Sequence, residues 1–160
     1  MKLGTKGRYA VMAMADIAVA GDAHPVPLAD VAERQGISLA YLEQLFAKLR
    51  RAGLVRSVRG AGGGYRLAHR PEDLRVADIV AAVDEAIRAT RCHPTGAKGC
   101  VAGSARCLTH DLWEELGHQI HLFLASVTLA DVVGRRVLGA ARPAEPAALR
   151  APVAIAVAAQ

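Results

Sequence analysis

No apolar run in these 160 residues approaches the roughly 18 that a membrane-spanning helix requires, so no transmembrane segment is expected. The N-terminal stretch MKLGTKGRYAVMAMADIAVA is basic and then apolar, like a signal peptide. Asp16 interrupts it and patterned helix continues beyond, so it is assigned to the fold. Cysteine is scarce: there are three, Cys92, Cys100 and Cys107, an odd number that cannot all pair within one chain. Without a secretion signal they read as thiolate ligands or reactive thiols in a reducing compartment, and a cytoplasmic location is expected. No acid/base constellation points to an enzyme, and no internal repeat is found. Acidic residues are missing altogether from 48–70, a segment that carries seven Lys or Arg: Lys48, Arg50, Arg51, Arg56, Arg59, Arg66 and Arg70.

What is present suffices for a core, since 52% of residues are hydrophobic and 22% charged. The length suits one compact domain, or one domain with a protruding helix and a tail. The net charge of +5 sits entirely in residues 1–75, and residues 76–160 are neutral overall. A basic field without acids suits a polyanion, because each phosphate neutralised releases condensed counterions. Charge alone is equally compatible with a solvated basic face, and the elements beneath it decide between the two.

Thr5 is the expected N-cap of a helix running to about Val19, ended by Gly21 and a turn up to Pro27. A second helix is expected over Leu28 to Gln35, stopped by Gly36. Ser38 then caps a third, to about Arg51, whose Leu42, Leu45, Phe46 and Leu49 follow i, i+3, i+4, i+7 spacing and face the core. Two short helices across a tight glycine-containing turn describe a helix-turn-helix. Leu54 to Val58 alternates like a strand, Arg59-Gly60-Ala61-Gly62-Gly63-Gly64 makes a glycine-rich tip, and Tyr65 to Ala68 resumes a strand. Helix, helix and basic hairpin is the order of a winged helix. The tip is not a phosphate-binding loop, because no GK[ST] and no strand–loop–helix context accompany it.

The third helix turns Tyr41, Glu43, Gln44, Ala47 and Lys48 away from its core stripe. Gln44 suits an adenine edge, and Arg59 in the wing suits phosphates or a narrow minor groove. Glu43 is costly beside DNA unless it accepts from a cytosine amino group, and Tyr41 has an alternative role packing on the hairpin. A fourth helix is expected over Val76 to Ile87, and a long one from near His110. Its stripe of Leu112, Trp113, Leu116, Ile120, Phe123, Leu124 and Val127 is too extended for one small domain to cover. A partner helix is the natural cover, which implies a homodimer on pseudo-palindromic DNA. Thr128 is the expected cap of a last helix to about Val137, and from Gly139 the chain reads as an unpatterned Ala- and Pro-rich tail.

The expected organisation is thus a mostly α fold with a small β-hairpin. A winged helix-turn-helix DNA-binding domain spans 1–75, a connecting helix 76–90, a Cys/His loop 91–110, a dimerisation helix with a short terminal helix 111–138, and a tail 139–160. Within the loop, Cys92, Cys100, Cys107 and His110 form a C-x7-C-x6-C-x2-H array with Gly96, Gly99 and Gly103 between them, able to wrap a metal without strain. A zinc site accepts three cysteines and a histidine, although zinc ligands usually come as close pairs and here only Cys107 and His110 are close. An iron–sulfur cluster tolerates the wider spacing and one histidine. A catalytic Cys107–His110 pair is disfavoured by the surplus cysteines, and spacing leaves zinc against iron–sulfur open.

The segments LGTKGRYAV, PVPLADVAERQGIS, YLEQLF, LVRSVRGAGGGYRL, AAVDEAI, ATRC and CLTHDLW resemble the IscR branch of the bacterial winged-helix repressors, the regulators of iron–sulfur assembly, over about residues 1–135. The resemblance implies a homodimer with one [2Fe-2S] cluster per subunit, ligated by Cys92, Cys100, Cys107 and His110, that represses iron–sulfur biogenesis genes in the cluster-bound form. It implies that Ser38, Tyr41, Gln44 and Arg59 contact DNA. It also implies that Glu43 discriminates between two operator classes, disfavouring one until the cluster is bound. The loops between the cysteines are longer than is usual in that branch, Ala40 stands where a serine is usual, and Ala61 where a proline is usual. A nitric-oxide- or iron-responsive repressor of the same wider family is the nearest alternative, and a zinc-stabilised DNA-binding module without sensing is the next.

Overall fold

The first helix, α1 (Thr5–Ala20), is the spine of the core: Ala10, Ala13, Met14 and Ile17 recur at one-turn spacing and are all buried. The computed structural model describes residues 4–21, 23–85 and 106–138. Against α1 lie α2 (Leu28–Gln35), contributing Val31, and α3 (Leu39–Arg51), contributing Leu42, Leu45, Phe46 and Leu49. Gly36 ends α2 in a left-handed conformation at φ 64°, which a side chain would resist, and its N–H closes the helix on Ala32 and Glu33 carbonyls. Ser38 caps α3 by accepting from the Tyr41 amide at 3.2 Å.

Strands β1 (Val55–Val58) and β2 (Gly64–Leu67) form an antiparallel hairpin that pairs Val55 with Leu67 and Arg56 with Arg66. Val26 bonds both ways to Tyr65, at 2.9 and 2.8 Å, so the segment before α2 fastens the hairpin to the helices. A Cβ at Gly64 would strike the Val26 backbone at 2.4 Å, which explains that glycine. Phe46 meets Tyr65 edge-on at 5.0 Å and joins α3 to the same sheet.

Helix α4 (Val76–Ala82) adds Ile79 to this core, and Val83, its C-cap, is buried too. After α5 (His110–Ser126) the chain returns, with the Val76 amide donating to Val127 and the Leu129 amide to Leu74. That seats α6 (Leu129–Val133) on α1, its Leu129 fully buried and its start fixed by a reciprocal Thr128–Asp131 capping box.

Three boundaries differ from the sequence expectation. The N-cap of α1 is Gly4 rather than Thr5, and no side chain caps it. α4 stops at Ala82 instead of Ile87, because Asp84 takes φ 56° and Glu85 turns back to α1; Ile87 lies outside the described residues. α6 ends at Val133 rather than Val137, where Gly134 and the left-handed Arg135 break it. Cys92, Cys100, most of the 91–110 loop and the 139–160 tail also lie outside the described residues.

Candidate nucleic-acid interface

Core packing of Leu42, Leu45, Phe46 and Leu49 turns the rest of α3 outward, and Ser38, Glu43, Gln44, Arg50 and Arg51 are all exposed. Glu43 and Gln44 lie together in the middle of the helix. Ser38 spends an acceptor lone pair on its cap, yet its hydroxyl still carries a proton to donate. Tyr41 is half-buried and packs against α1: its ring meets Tyr9 at 6.1 Å and 88°, and its hydroxyl lies 3.5 Å from the Thr5 hydroxyl. Lys48 is half-buried as well, and its ammonium is held 2.8 Å from the Asp84 carboxylate. That hydrogen bond and the charge of Lys48, assisted by Lys6 and Arg51, keep the Asp84 carboxyl below its ordinary range.

Arg59 stands exposed at the start of the hairpin tip, where Gly60 (φ 103°) and Gly62 (φ 76°) make the turn and Gly63 donates to the Gly60 carbonyl at 2.9 Å. Two further arginines were legible in the sequence as charge but not as partners: Arg56 and Arg66 sit directly opposite each other across the strands. Like charges at such a pair oppose folding, and a polyanion relieves the repulsion. Arg66 also donates to the Ala23 carbonyl at 3.3 Å, which holds it against the body. An exposed helix and an arginine-bearing hairpin, both fixed to one core, offer the two contacts a winged helix makes with duplex DNA: a helix for a groove and a wing for the backbone beside it.

The Cys/His turn stands at the start of α5. The His110 amide donates to the Cys107 carbonyl at 3.0 Å, so the thiol and the imidazole are brought onto one turn of chain. His110 is 3% exposed, with Glu114 one turn on, 3.4 Å from its Nε2. Cys107 Sγ lies 3.6 Å from the Thr109 hydroxyl, which in turn accepts from the Trp113 indole at 3.1 Å. The two other expected ligands, Cys92 and Cys100, fall outside the described residues.

The fold and this face define a winged helix-turn-helix regulator. Residues 3–135 match the Rrf2 family, described as iron-dependent transcriptional regulators. The chain belongs to that family, and within it is a helix-turn-helix transcriptional regulator of the IscR type, not an enzyme. It is 56% identical over 133 residues to the HTH-type transcriptional regulator IscR of Aliivibrio salmonicida, covering 83% of this chain and 77% of the relative. It is 57% identical over 135 residues to the putative HTH-type regulator ORF2 of Azotobacter vinelandii, covering 84% and 80%. Among solved structures, T. potens IscR superposes with a TM-score of 0.67 at 42% identity, covering 85% of this chain and 88% of that one. CymR, the global cysteine regulator of B. subtilis, superposes with a TM-score of 0.70 at 32% identity, covering 84% and 98%. No helix among the described residues is long and apolar enough to cross a membrane.

Proposed function

We propose that this regulator senses iron–sulfur status in the cytoplasm. In this reading it represses iron–sulfur biogenesis genes as a homodimer carrying a [2Fe-2S] cluster on Cys92, Cys100, Cys107 and His110. The observation that carries the reading is the Cys107–His110 turn. A half-buried thiol and, three residues on, a buried imidazole stand at the root of α5, and a thiolate and nitrogen donor set of this kind fits an iron–sulfur cluster. The cluster would supply a redox-active, readily lost group whose presence reports supply. What the chain's own residues do is hold that group where α5 begins. Neutral imidazole is needed to ligate, so acid favours loss.

The dimer reading rests on α5. It is 17 residues long, about 25 Å, whereas α4 beside it has seven and spans about 10 Å. Phe123 and Leu124, in its last turns, pack on the body, while Leu112 and Trp113, at the start of the same stripe, are exposed. A second copy of the same face covers such a stripe, and the resulting two-fold axis presents two copies of α3 and of the wing to a pseudo-palindromic operator. Ser38, Tyr41, Glu43, Gln44, Lys48 and Arg59 are the proposed DNA contacts. Glu43 and Gln44 address base edges, and Ser38, Lys48 and Arg59 address phosphates.

The test is a visible absorption spectrum of anaerobically purified protein, with iron, sulfide and zinc assayed on the same sample. The reading expects coloured protein with two irons and two sulfides per chain, restored by reconstitution if lost in handling. Colourless protein with one tightly held zinc overturns it.

A further inference from the structure

Asp84 is an acid placed among cations at the edge of the proposed DNA face. It follows the C-cap of α4 and adopts φ 56°, a left-handed conformation rare outside glycine. Its carboxylate is 76% exposed and lies 2.8 Å from the Lys48 ammonium, with Lys6 and Arg51 also acting on it. Lys48 in turn stands four residues, one helical turn, beyond Gln44 on α3.

The next residue holds Asp84 in place. Glu85 accepts from the Gly4 amide at 3.0 Å and packs against Gly7, where a Cβ would come within 3.3 Å of its Cγ. The end of α4 is therefore fastened to the start of α1, and the following carboxylate projects toward α3. No fold requirement explains an acid at this position: Asp84 is not buried, and asparagine or glycine adopts a left-handed backbone at least as readily.

We propose that Asp84 is an internal stand-in for a DNA phosphate. Its carboxylate occupies Lys48 in the free protein and yields that ammonium to the backbone when DNA arrives. An exposed ion pair is weak enough to be exchanged at small cost. While it lasts, it removes one cation from the basic face, which lowers sequence-independent affinity and leaves contacts to base edges untouched. The displacement penalty falls on operator and random duplexes alike, so Asp84 lowers affinity for both by the same factor and thins occupancy of random sites, where no base contacts by Glu43 and Gln44 make up the loss.

This inference rests on the DNA-contact reading of α3, and the test separates the two. Full-length Asp84→Asn, Asp84→Gly, Lys48→Met and Asp84→Asn/Lys48→Met proteins are compared with wild type by fluorescence anisotropy, using an operator duplex and a random duplex over a salt series. Thermal melting checks that each is folded. Both Asp84 variants should bind random duplex about two- to fivefold tighter at low salt, the range expected for releasing one exposed pair. The gain should shrink in the Lys48→Met background, since the two substitutions act on one interaction. Unchanged or weaker binding by folded Asp84→Asn and Asp84→Gly overturns the proposal while leaving the DNA face intact, provided Lys48→Met still weakens binding. If Lys48→Met changes nothing, Lys48 is not a DNA contact and both readings of it fail.

Discussion

Tyr41 of α3 meets Tyr9 of α1 edge-on, their ring centroids 6.1 Å apart and their planes at 88°. The contact fixes the orientation of α3 against α1 a few residues from Glu43 and Gln44, so it serves both packing and the proposed DNA face. Tyr41→Ala should cost roughly 1–2 kcal/mol of stability, a partly buried aromatic pair being lost. Tyr41→Phe keeps the ring and should leave stability nearly unchanged. Any loss of DNA affinity in Tyr41→Phe therefore reports the hydroxyl, and chemical denaturation beside anisotropy separates the two roles.

Arg59→Ala should weaken binding to all duplexes alike and lower the salt dependence by up to about one unit of slope. The substitution lies at an exposed tip and should leave the melting temperature unchanged. A salt titration with identical slopes for wild type and variant would take Arg59 off the phosphate backbone.

Glu43→Ala should let cluster-free protein bind sites that wild type rejects. The exposed carboxylate is repelled by the duplex wherever no cytosine amino group donates to it. The check is a comparison of apo wild type and apo variant on both operator classes; equal discrimination would refute the role.

Acid should weaken the α1–α2 contact. Burial raises the Asp16 carboxyl's pKa, but hydrogen bonds from Arg34 and from Gln35, the latter at 2.7 Å, together with the charge of Arg34, bring it below the ordinary 3.8. A depressed folded pKa means the ionised form is favoured by folding. The stabilisation is therefore complete above about 3.8 and is lost as pH falls through the lower folded value. Asp16→Asn should be less stable than wild type at neutral pH and lose less on acidification. Parallel stability–pH curves would show that Asp16 contributes nothing.

The residues that read well in the sequence are those whose signal is local. Ser38 as a cap, Gly36 as a stop and the four-residue apolar stripe of α3 each act within one or two turns, and the structure has them where they were expected. What the sequence hid depends on distant partners. Nothing near Tyr41 announces Tyr9, 32 positions earlier, and nothing near Lys48 announces Asp84, since each pair meets only after α1 and α4 pack on α3. The early end of α4 has the same origin: its apolar pattern continues past Ala82, but Glu85 is drawn to the Gly4 amide and the helix gives way. In the candidate cluster site the closeness of Cys107 and His110 along the chain was legible from their spacing. The burial of His110 was not, because it depends on how the root of α5 is seated.

The central claim is that cluster status governs DNA binding, and the most direct measurement is the affinity of one purified preparation for one promoter duplex before and after removal of its cluster. A fragment from the promoter of iron–sulfur biogenesis genes serves as the probe. Coupling of the usual size predicts that the cluster-loaded dimer binds about 5- to 150-fold tighter than the same protein without cluster. In His110→Ala that difference should collapse along with iron content. Equal affinities for loaded and cluster-free wild type, both folded and both dimeric, would contradict the account.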